Sequence, residues 1–469
     1  MPSELREALT AAGTTALTPK LIDTLLLEYQ RRYSPLVRAI PTTNWNSTVY
    51  YFNQRTVVAS GGFVSDGGAT PVSNSTYVQN SFTMCHLQVV GAVTGYAQEV
   101  TRQIIGDLRQ TEIEGSIRGM YWDIETGIDW GNSASTAAGA RPQYDGLDTL
   151  VSTWSGANQN ALDKAGNTFT LAMLDELIDM VESNAAMPVF DSTWMLVMSN
   201  TAASKVAQLM VSQQRFNDKV EVAPGLITDS YRNIPIVKTS FLSPRSYAMS
   251  TVTAAGSSGA LPGGLSGVTG TLSNATYKYY VSAVIARQGE ILPYTEVSAA
   301  TGGSSGYVTL SFTPPTGLDS SAPILYKVYR TASGGASGSE TLLGYVDATV
   351  GLAADGVTPV MATCIVDGGA ALYPVVSSSA TTVPGTLPAA YYGTNAGQYP
   401  LATGYENIYL ISRDRNFVIR PYVRECMPLD IYPVSTSPDT LPYALITDTT
   451  LGVRAPKYTG RLGRVSTSV

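Results

Sequence analysis

Residues 49–97 read VYYFNQRTVVASGGFVSDGGATPVSNSTYVQNSFTMCHLQVVGAVTGYA, and residues 98–130 read QEVTRQIIGDLRQTEIEGSIRGMYWDIETGIDW. The first stretch carries β-favouring residues on either side of a glycine-rich middle, Gly61-Gly62 to Gly67-Gly68. It predicts two long polar strands joined by a flexible tip. A two-stranded ribbon is marginally stable alone in water. With little apolar surface of its own, such an arm makes physical sense when it lies on another subunit. The second stretch places Val100, Ile104, Leu108, Ile113, Ile117, Met120, Ile124 and Ile128 at steps of three, four or five residues. That spacing predicts one long helix over 98–130, roughly 45 Å at 1.5 Å per residue. Glu114 and Arg118 fall four apart on its polar side. Gly115, Gly119 and Gly127 weaken it, so it needs packing to persist. Arm and helix together point to assembly rather than to chemistry.

The bulk composition agrees. A chain of 469 residues is long enough for two or three domains. Its net charge of -7, from 29 basic and 36 acidic residues, opposes a general grip on nucleic acid but permits a wall that encloses DNA. Charged residues are 14% of the chain, below the usual quarter or so, which suits large uncharged contact surfaces. Cys85, Cys364 and Cys426 are far apart and give neither a disulfide framework nor zinc spacing. No basic-then-apolar leader opens the sequence and no run of about 18 apolar residues occurs, so the expectation is a soluble protein made in a reducing cytoplasm, with no membrane partner.

Outward from the ribbon, six segments are expected. Residues 1–44 form an N-terminal arm with a short amphipathic helix after Pro19, through Leu21, Ile22, Leu25 and Tyr29; Pro35 and Pro41 then keep the chain extended. Residues 45–97 are the ribbon, and 98–144 the long helix with its surroundings. Residues 145–245 alternate helix and strand: a helix after Thr170 as N-cap, a strand over Trp194–Met198, a helix capped by Ser199-Asn200, and a strand within Asn233–Ser240. Residues 246–403 change texture, since Ser246 to Pro400 holds four basic and seven acidic residues in 155. Short strands over 277–286, 307–313, 325–330, 342–347 and 363–367 predict an inserted all-β sandwich. Its Gly/Ser/Pro flanks, 246–267 and 375–399, read as linkers and the insert as an autonomous module. Residues 404–469 resume the mixed pattern, with a hairpin of 407–412 and 416–422 across Arg413-Asp414-Arg415 and further strands over 442–464.

Taken in order, these elements resemble the major capsid proteins of tailed bacteriophages, with the Hong Kong 97-type fold. The resemblance rests on Asp66-Gly67-Gly68 with Pro71 at the ribbon tip, the strand 81–94, the long helix, Trp130-Gly131-Asn132 leading to Asp145-Gly146-Leu147, and then FTLAMLDELIDMV, WMLVMSNTAASKVAQLM, NIPIVKTSFLSP and YENIYLISRDRNFVIRPY. It implies an α+β fold with an N-arm, an extended loop, a spine helix, a peripheral domain to which the C-terminal strands return, and an axial domain. The insert resembles a fibronectin type III or immunoglobulin-like sandwich through residues 275–281, 289–296, 308–312 and 326–330.

The resemblance implies a subunit that assembles with itself into hexamers and pentamers of an icosahedral shell around phage double-stranded DNA, in the virion, after assembly in the host cytoplasm. Implied partners are a separate scaffolding protein, since only about 45 residues precede the ribbon, a portal, and through the insert a decoration protein or host glycan. Contact candidates between subunits are Arg55, Phe63, Asp66, Gly67, Gly68 and Pro71 on the ribbon and Tyr29 and Tyr33 on the arm. Ile104, Ile113, Ile117, Met120 and Ile124 are the packing residues of the spine helix. Some family members cross-link through a lysine on the extended loop; residues 45–100 contain none. An encapsulin-like compartment or a β-sandwich carbohydrate-binding or adhesin protein are the alternatives.

Catalytic, cofactor and metal sites are not expected. His86 is the single histidine, and on a strand it points away from its neighbour Cys85, so the two cannot act as base and nucleophile. No GxxxxGK[ST] loop occurs. Asp123 with Glu125, and Asp175 with Glu176, read as solvated helix faces. The tyrosines at 50–51 and 277–280 could stack on sugars; core or interface packing is the simpler reading.

Overall fold

The computed structural model describes residues 34–467 except 67, 70–71, 103–106, 132, 134–142, 152–159, 165–166, 190–192, 213–218, 224–225, 243–248, 250, 263–264, 266–267, 286–288, 292–294, 317–321, 353–358, 377–405 and 431–438. The chain forms two compact units. One holds Val89–Ile117 and Pro428–Leu445, the other Arg32–Gln88, Arg118–Met427 and Ile446–Val469. The fold is mixed α and β, strand-rich with few helices.

The first described element is helical. Helix α1 (Pro35–Ala39) starts at Pro35, where the expectation was extended chain; proline lacks an N–H that the first helical turn does not use. Strands β1 (Thr42–Asn44), β2 (Val49–Val57), β3 (Thr76–Thr83) and β4 (Cys85–Thr94) follow. The ribbon is β2 against β3, from Val49↔Thr83 to Val57↔Thr76. The strand expected over 81–94 is interrupted at Met84, so β3 stays with the ribbon and β4 joins a different sheet.

The long helix is also divided. Helix α2 (Gly95–Thr101) is capped by Thr94, whose Oγ1 accepts from the Ala97 amide at 3.3 Å. Helix α3 (Leu108–Trp130) starts anew at Asp107, whose Oδ1 accepts from the Gln110 amide at 3.1 Å. An aspartate that satisfies the free amides of a first turn begins a helix more readily than it continues one. Ile104 lies outside the described residues. Within the first unit, Tyr443 occupies the space over Gly91, where a Cβ would come 2.4 Å from its ring, and its hydroxyl meets Ser116 Oγ at 3.1 Å.

Beyond α3 come α4 (Leu147–Leu150), β5 (Ala161–Asp163), α5 (Leu171–Ala185), β6 (Trp194–Ser199), α6 (Asn200–Ser212), β7 (Lys219–Ala223), β8 (Leu226–Tyr231) and β9 (Ile234–Thr239). Thr170 is the N-cap of α5 as expected, though without a side-chain capping bond, and Ser199 Oγ accepts from the Ala202 amide at 3.0 Å and caps α6. The insert supplies β10 (Val252–Ser258), β11 (Thr276–Ile285), β12 (Gly289–Glu290), β13 (Val297–Ala300), β14 (Gly306–Phe312), β15 (Pro323–Arg330), β16 (Thr341–Asp347), β17 (Thr349–Leu352), β18 (Pro359–Met361), β19 (Cys364–Asp367) and β20 (Leu372–Val375). The chain ends with β21 (Glu406–Ser412), β22 (Val418–Asp430), β23 (Thr440–Thr449), β24 (Gly452–Val453) and β25 (Thr459–Val465).

A seven-stranded sheet in the order β5-β25-β21-β6-β9-β8-β7 forms the centre of the second unit. Strand β6 is buried on both faces, as its continuous apolar run requires. Trp194, Leu196 and Met198 pack on Leu174, Leu177, Ile178 and Val181 of α5. Met195 and Val197 face the other way, toward Ile124, Ile128, Leu147 and Tyr409. The hairpin expected over 407–422 does not form: β21 pairs with β6 and β25, while β22 pairs with β1 and β24 in another sheet. Strands occur over 442–464 as expected, and the last of them, β25, joins β21 and β5.

The insert is two stacked sheets, β10-β14-β19-β20 and β12-β11-β15-β16 with β13 on β11. Strand β10 runs through what was read as a linker, pairing from Val252↔Phe312 to Ser258↔Gly306; the second linker lies outside the described residues. Tyr279, Val281, Ala283, Tyr326 and Val328 fill the space between the sheets with Leu310 and Ile365. The opposite face of the second sheet is covered too: Val284, Leu325, Tyr329 and Tyr345 share a core with Trp130, Leu147, Tyr409 and Ile411. A sheet buried on both faces is part of the body that covers it, so the insert is not the detached module that its flanks suggested.

Candidate assembly surfaces

The ribbon has a packed root and a bare end. At the root, Trp45 meets Tyr50 edge-on at 4.8 Å, Phe52 stacks on Phe82 at 5.2 Å, and the Arg454 guanidinium lies 5.1 Å from the Tyr50 ring. From Arg55 outward this support ends. Val57, Val58, Phe63, Val64, Val72, Tyr77 and Val78 are exposed, Phe63 completely. Arg55 sits over Tyr77 at 5.3 Å, and near the tip the Gly68 amide donates to the Ser65 carbonyl at 2.8 Å. Asp66 is exposed. Gly67, Pro71, Tyr29 and Tyr33 lie outside the described residues. Apolar side chains so clustered on a thin ribbon mark a contact surface more than a stable free surface.

The spine candidates separate by burial. Met120 and Ile124 are fully buried, while Ile113 and Ile117 are half-buried. Where α3 ends, the backbone passes close to residues 144–146: the Gly146 amide donates to the Gly131 carbonyl at 2.8 Å, and a Cβ on Gly131 would stand 2.2 Å from the Tyr144 carbonyl. Glycine is required at that crossing.

Two polar centres were not anticipated. Glu125 and Asp129, one turn apart on α3, are completely buried rather than solvated. Glu125 accepts from the Leu36 and Val37 amides at 3.2 and 3.1 Å and from Thr239 Oγ1 at 3.2 Å, which ties the start of α1 to α3 and β9. Burial pushes its pKa up to about 8 against the pull of those donors. Among the described residues neither Asp129 carboxyl oxygen has a hydrogen-bond partner, and burial, reinforced by Glu125 and Asp148, raises its pKa well above its ordinary value.

The second centre joins the insert to the rest of the unit. Lys327 of β15 and Asp148 of α4 each leave 3% of the side chain exposed, and Lys327 Nζ donates to Asp148 Oδ2 at 2.7 Å and to Glu290 Oε2 at 2.9 Å. Arg461 Nη1 reaches Asp148 Oδ1 at 3.0 Å, and the Tyr409 hydroxyl donates to the same oxygen at 3.2 Å. Glu290 Oε1 accepts from Ser282 Oγ at 2.7 Å and from the Tyr329 hydroxyl at 3.1 Å. Trp130 and Tyr345 flank the ammonium at 4.9 and 5.5 Å. Burial alone would raise the Asp148 pKa; Arg461, Lys327 and the Tyr409 hydroxyl reverse this and hold it at about 2. Burial likewise opposes the Lys327 charge, and Asp148 with Glu290 restores it, leaving its pKa well above the usual value. A lysine in the middle of the apolar run of β15, in a segment poor in charge, was the available signal; its partner 179 residues away was not readable.

His86 Nδ1 meets Asp448 Oδ1 at 2.5 Å on the solvent side of β4, and Arg424 Nε bonds Asp448 Oδ2 at 2.5 Å. Cys85 points to the other side, and burial with Asp145 pushes its thiol up to about 11, which makes it a poor nucleophile. Among the described residues no group of three or more His, Cys, Asp or Glu is placed to hold a metal, and no helix is long and apolar enough to cross a membrane.

A family model described as the SU10 major capsid protein matches residues 9–249, just over half of the 469 residues. No curated protein matches the chain. Similar solved structures include the capsid of an empty GTA particle, 9% identical over 99% of this chain and 100% of the other, with a TM-score of 0.46. A cryo-EM structure of the holo-SrpI encapsulin complex from Synechococcus elongatus PCC 7942 is 9% identical over 98% of each chain, with a TM-score of 0.45. A Mycobacterium phage Bobi chain is 11% identical over 97% of this chain and 98% of its own, with a TM-score of 0.43. Scores this low carry no argument about the fold. The family match spans the ribbon, α3 and the first part of the seven-stranded sheet and stops where the insert begins; the chain belongs to the SU10 major capsid protein family and is a structural subunit of a phage virion shell.

Proposed function

We propose that the subunit closes an icosahedral shell of hexamers and pentamers around double-stranded DNA, with the Hong Kong 97-type division into arm, loop, spine, peripheral and axial parts. The distal ribbon carries this reading: among the described residues Val57, Val58, Phe63, Val72 and Tyr77 stand exposed on their own subunit. Covering each large apolar side chain on a neighbour contributes roughly 1.5–3 kcal/mol before ordering costs, and rings repeat the contact around an axis. Gly61-Gly62 and Gly67-Gly68 let the tip take the differing angles of five- and six-fold rings. The net negative charge fits DNA that is enclosed without specific contacts. A scaffolding protein, a portal and decoration proteins are the expected partners, and the chain turns over no substrate. The insert stabilises the subunit that builds the shell, since its second sheet is buried against the body of that subunit.

Deletion of Ala59 to Pro71 tests the reading. The expected product is a folded subunit with unchanged thermal unfolding that gives no closed particles in electron micrographs. Normal particles would remove the ribbon from the mechanism. Shells carrying enzyme cargo and no DNA would favour an encapsulin-type compartment instead.

A further inference from the structure

We propose that Lys327 and Asp148 condense to a side-chain amide that joins the insert covalently to the body of its own subunit. The constellation has each part such a reaction needs. The nucleophile, Lys327 Nζ, lies 2.7 Å from Asp148 Oδ2. A base, Glu290 Oε2, accepts from the same Nζ at 2.9 Å and is oriented by Ser282 and Tyr329 through its other oxygen. The second Asp148 oxygen, Oδ1, faces Arg461 Nη1 at 3.0 Å and the Tyr409 hydroxyl at 3.2 Å, two donors placed where negative charge would develop. Trp130, Tyr345 and Tyr409 wall the centre, and Lys327 and Asp148 are almost fully removed from water.

The step balances without a co-reactant. The resting pair is ammonium and carboxylate. Nζ passes one proton to Oδ2, giving amine and acid; this transfer is uphill, because Arg461 and Glu290 favour the charged pair, and the irreversible loss of water that follows draws it forward. The amine lone pair then forms the N–C bond at Cγ, and the carbonyl electron pair moves to Oδ1, held by Arg461 and Tyr409. Glu290 takes a second proton from Nζ and returns it to Oδ2. Collapse of the oxyanion restores the C=O, breaks Cγ–Oδ2 and releases water. Glu290 ends as it began, and Arg461 is left balanced by Glu290 across the amide. Proximity supplies the driving geometry, since the two groups are already held within hydrogen-bond distance.

Intact-mass measurement on the full chain, from soluble subunits and from shells, tests this directly. The wild type is expected one water lighter than its sequence, about 18 Da, as a condensation requires. Fragmentation is expected to show peptides containing Asp148 and Lys327 joined. K327R and E290Q are expected at full mass; Gln has the shape of Glu, and a thermal unfolding curve for E290Q that stays cooperative shows that its loss of the link reads chemistry rather than misfolding. Wild-type chain at full mass in both preparations would overturn the proposal. So would a link from Lys327 to any residue other than Asp148, or a missing water that persists in K327R. A missing water that persists in E290Q would overturn the role of Glu290 as base.

Discussion

The distal ribbon and the insert junction are opposites in what they leave undone. On the ribbon, apolar groups stand in water and the charged residue Asp66 stands beside them unburied. At the junction, charges are removed from water and each has an opposite charge and hydroxyl donors around it. Exposed apolar surface is a contact waiting for a second molecule; a buried, balanced charge cluster is a contact already made within one. The insert is therefore settled within the subunit, while the distal ribbon leaves its apolar surface uncovered there.

That contrast can be broken by substitution. The largest effect is expected at the junction. Lys327→Met leaves Asp148 buried with Arg461 and deprives Glu290 of its cation; denaturant unfolding of unassembled subunits should show a loss of about 3–5 kcal/mol, the scale for removing one partner of a buried pair. A loss under 1 kcal/mol would mean that the insert is only loosely seated. In chains that keep the pair unlinked, such as E290Q, the Asp148 carboxylate gives the junction an acid limit. Its folded pKa, about 2, lies below that of an unfolded aspartate, so its stabilisation is complete above about pH 4 and is lost as pH falls through 2.

Glu125 has the reverse sign. Its folded pKa is raised to about 8, so the folded chain holds this proton more tightly than the unfolded one does. Stability is full below the unfolded value near 4.5 and declines as pH rises toward 8, by roughly 3–5 kcal/mol across that window. The groups that face it are Asp129 on its own helix, Thr239 on β9, the α1 amides, and Tyr144 from the following segment. Glu125→Gln should flatten the decline, at a cost of about 1 kcal/mol near pH 5 for one mismatched amide contact. An unchanged slope would place the titration elsewhere.

The ribbon is expected to respond in assembly and not in stability. Phe63→Ser should leave subunit unfolding within about 0.5 kcal/mol of wild type, since the side chain touches nothing in its own subunit, while raising the concentration needed for particles in light scattering. A destabilised subunit with normal particles would invert the comparison. Smallest of all is His86→Ala, where a half-exposed pair with Asp448 should contribute under 1 kcal/mol.

The sequence made legible what short-range physics decides. The apolar run of β6, the spacing of Leu171, Leu174, Ile178 and Val181, and the strands of the insert all follow from periods of two or 3.6 residues. It misled where a local signal had two solutions. Pro35 is equally at home in extended chain and in a first helical turn. Asp107 could ride on a helix or begin one. Residues 407–422 carry hairpin texture, yet their two strands serve different sheets because other parts of the chain offer better partners. The charge centre was out of reach for a plainer reason: Lys327, Asp148 and Arg461 meet only after the sheets have stacked, and no spacing encodes that.

Strand β25 has a consequence for the order of events in the infected cell. It lies inside the seven-stranded sheet, between β5 and β21, although it is synthesised after both. Until residues 459–465 leave the ribosome, β21 has a bare edge and Arg461 is missing from its place beside Asp148. The central sheet and the charge centre beside it are thus closed by a strand made long after their other members, so folding of this part of the subunit waits on the late arrival of β25.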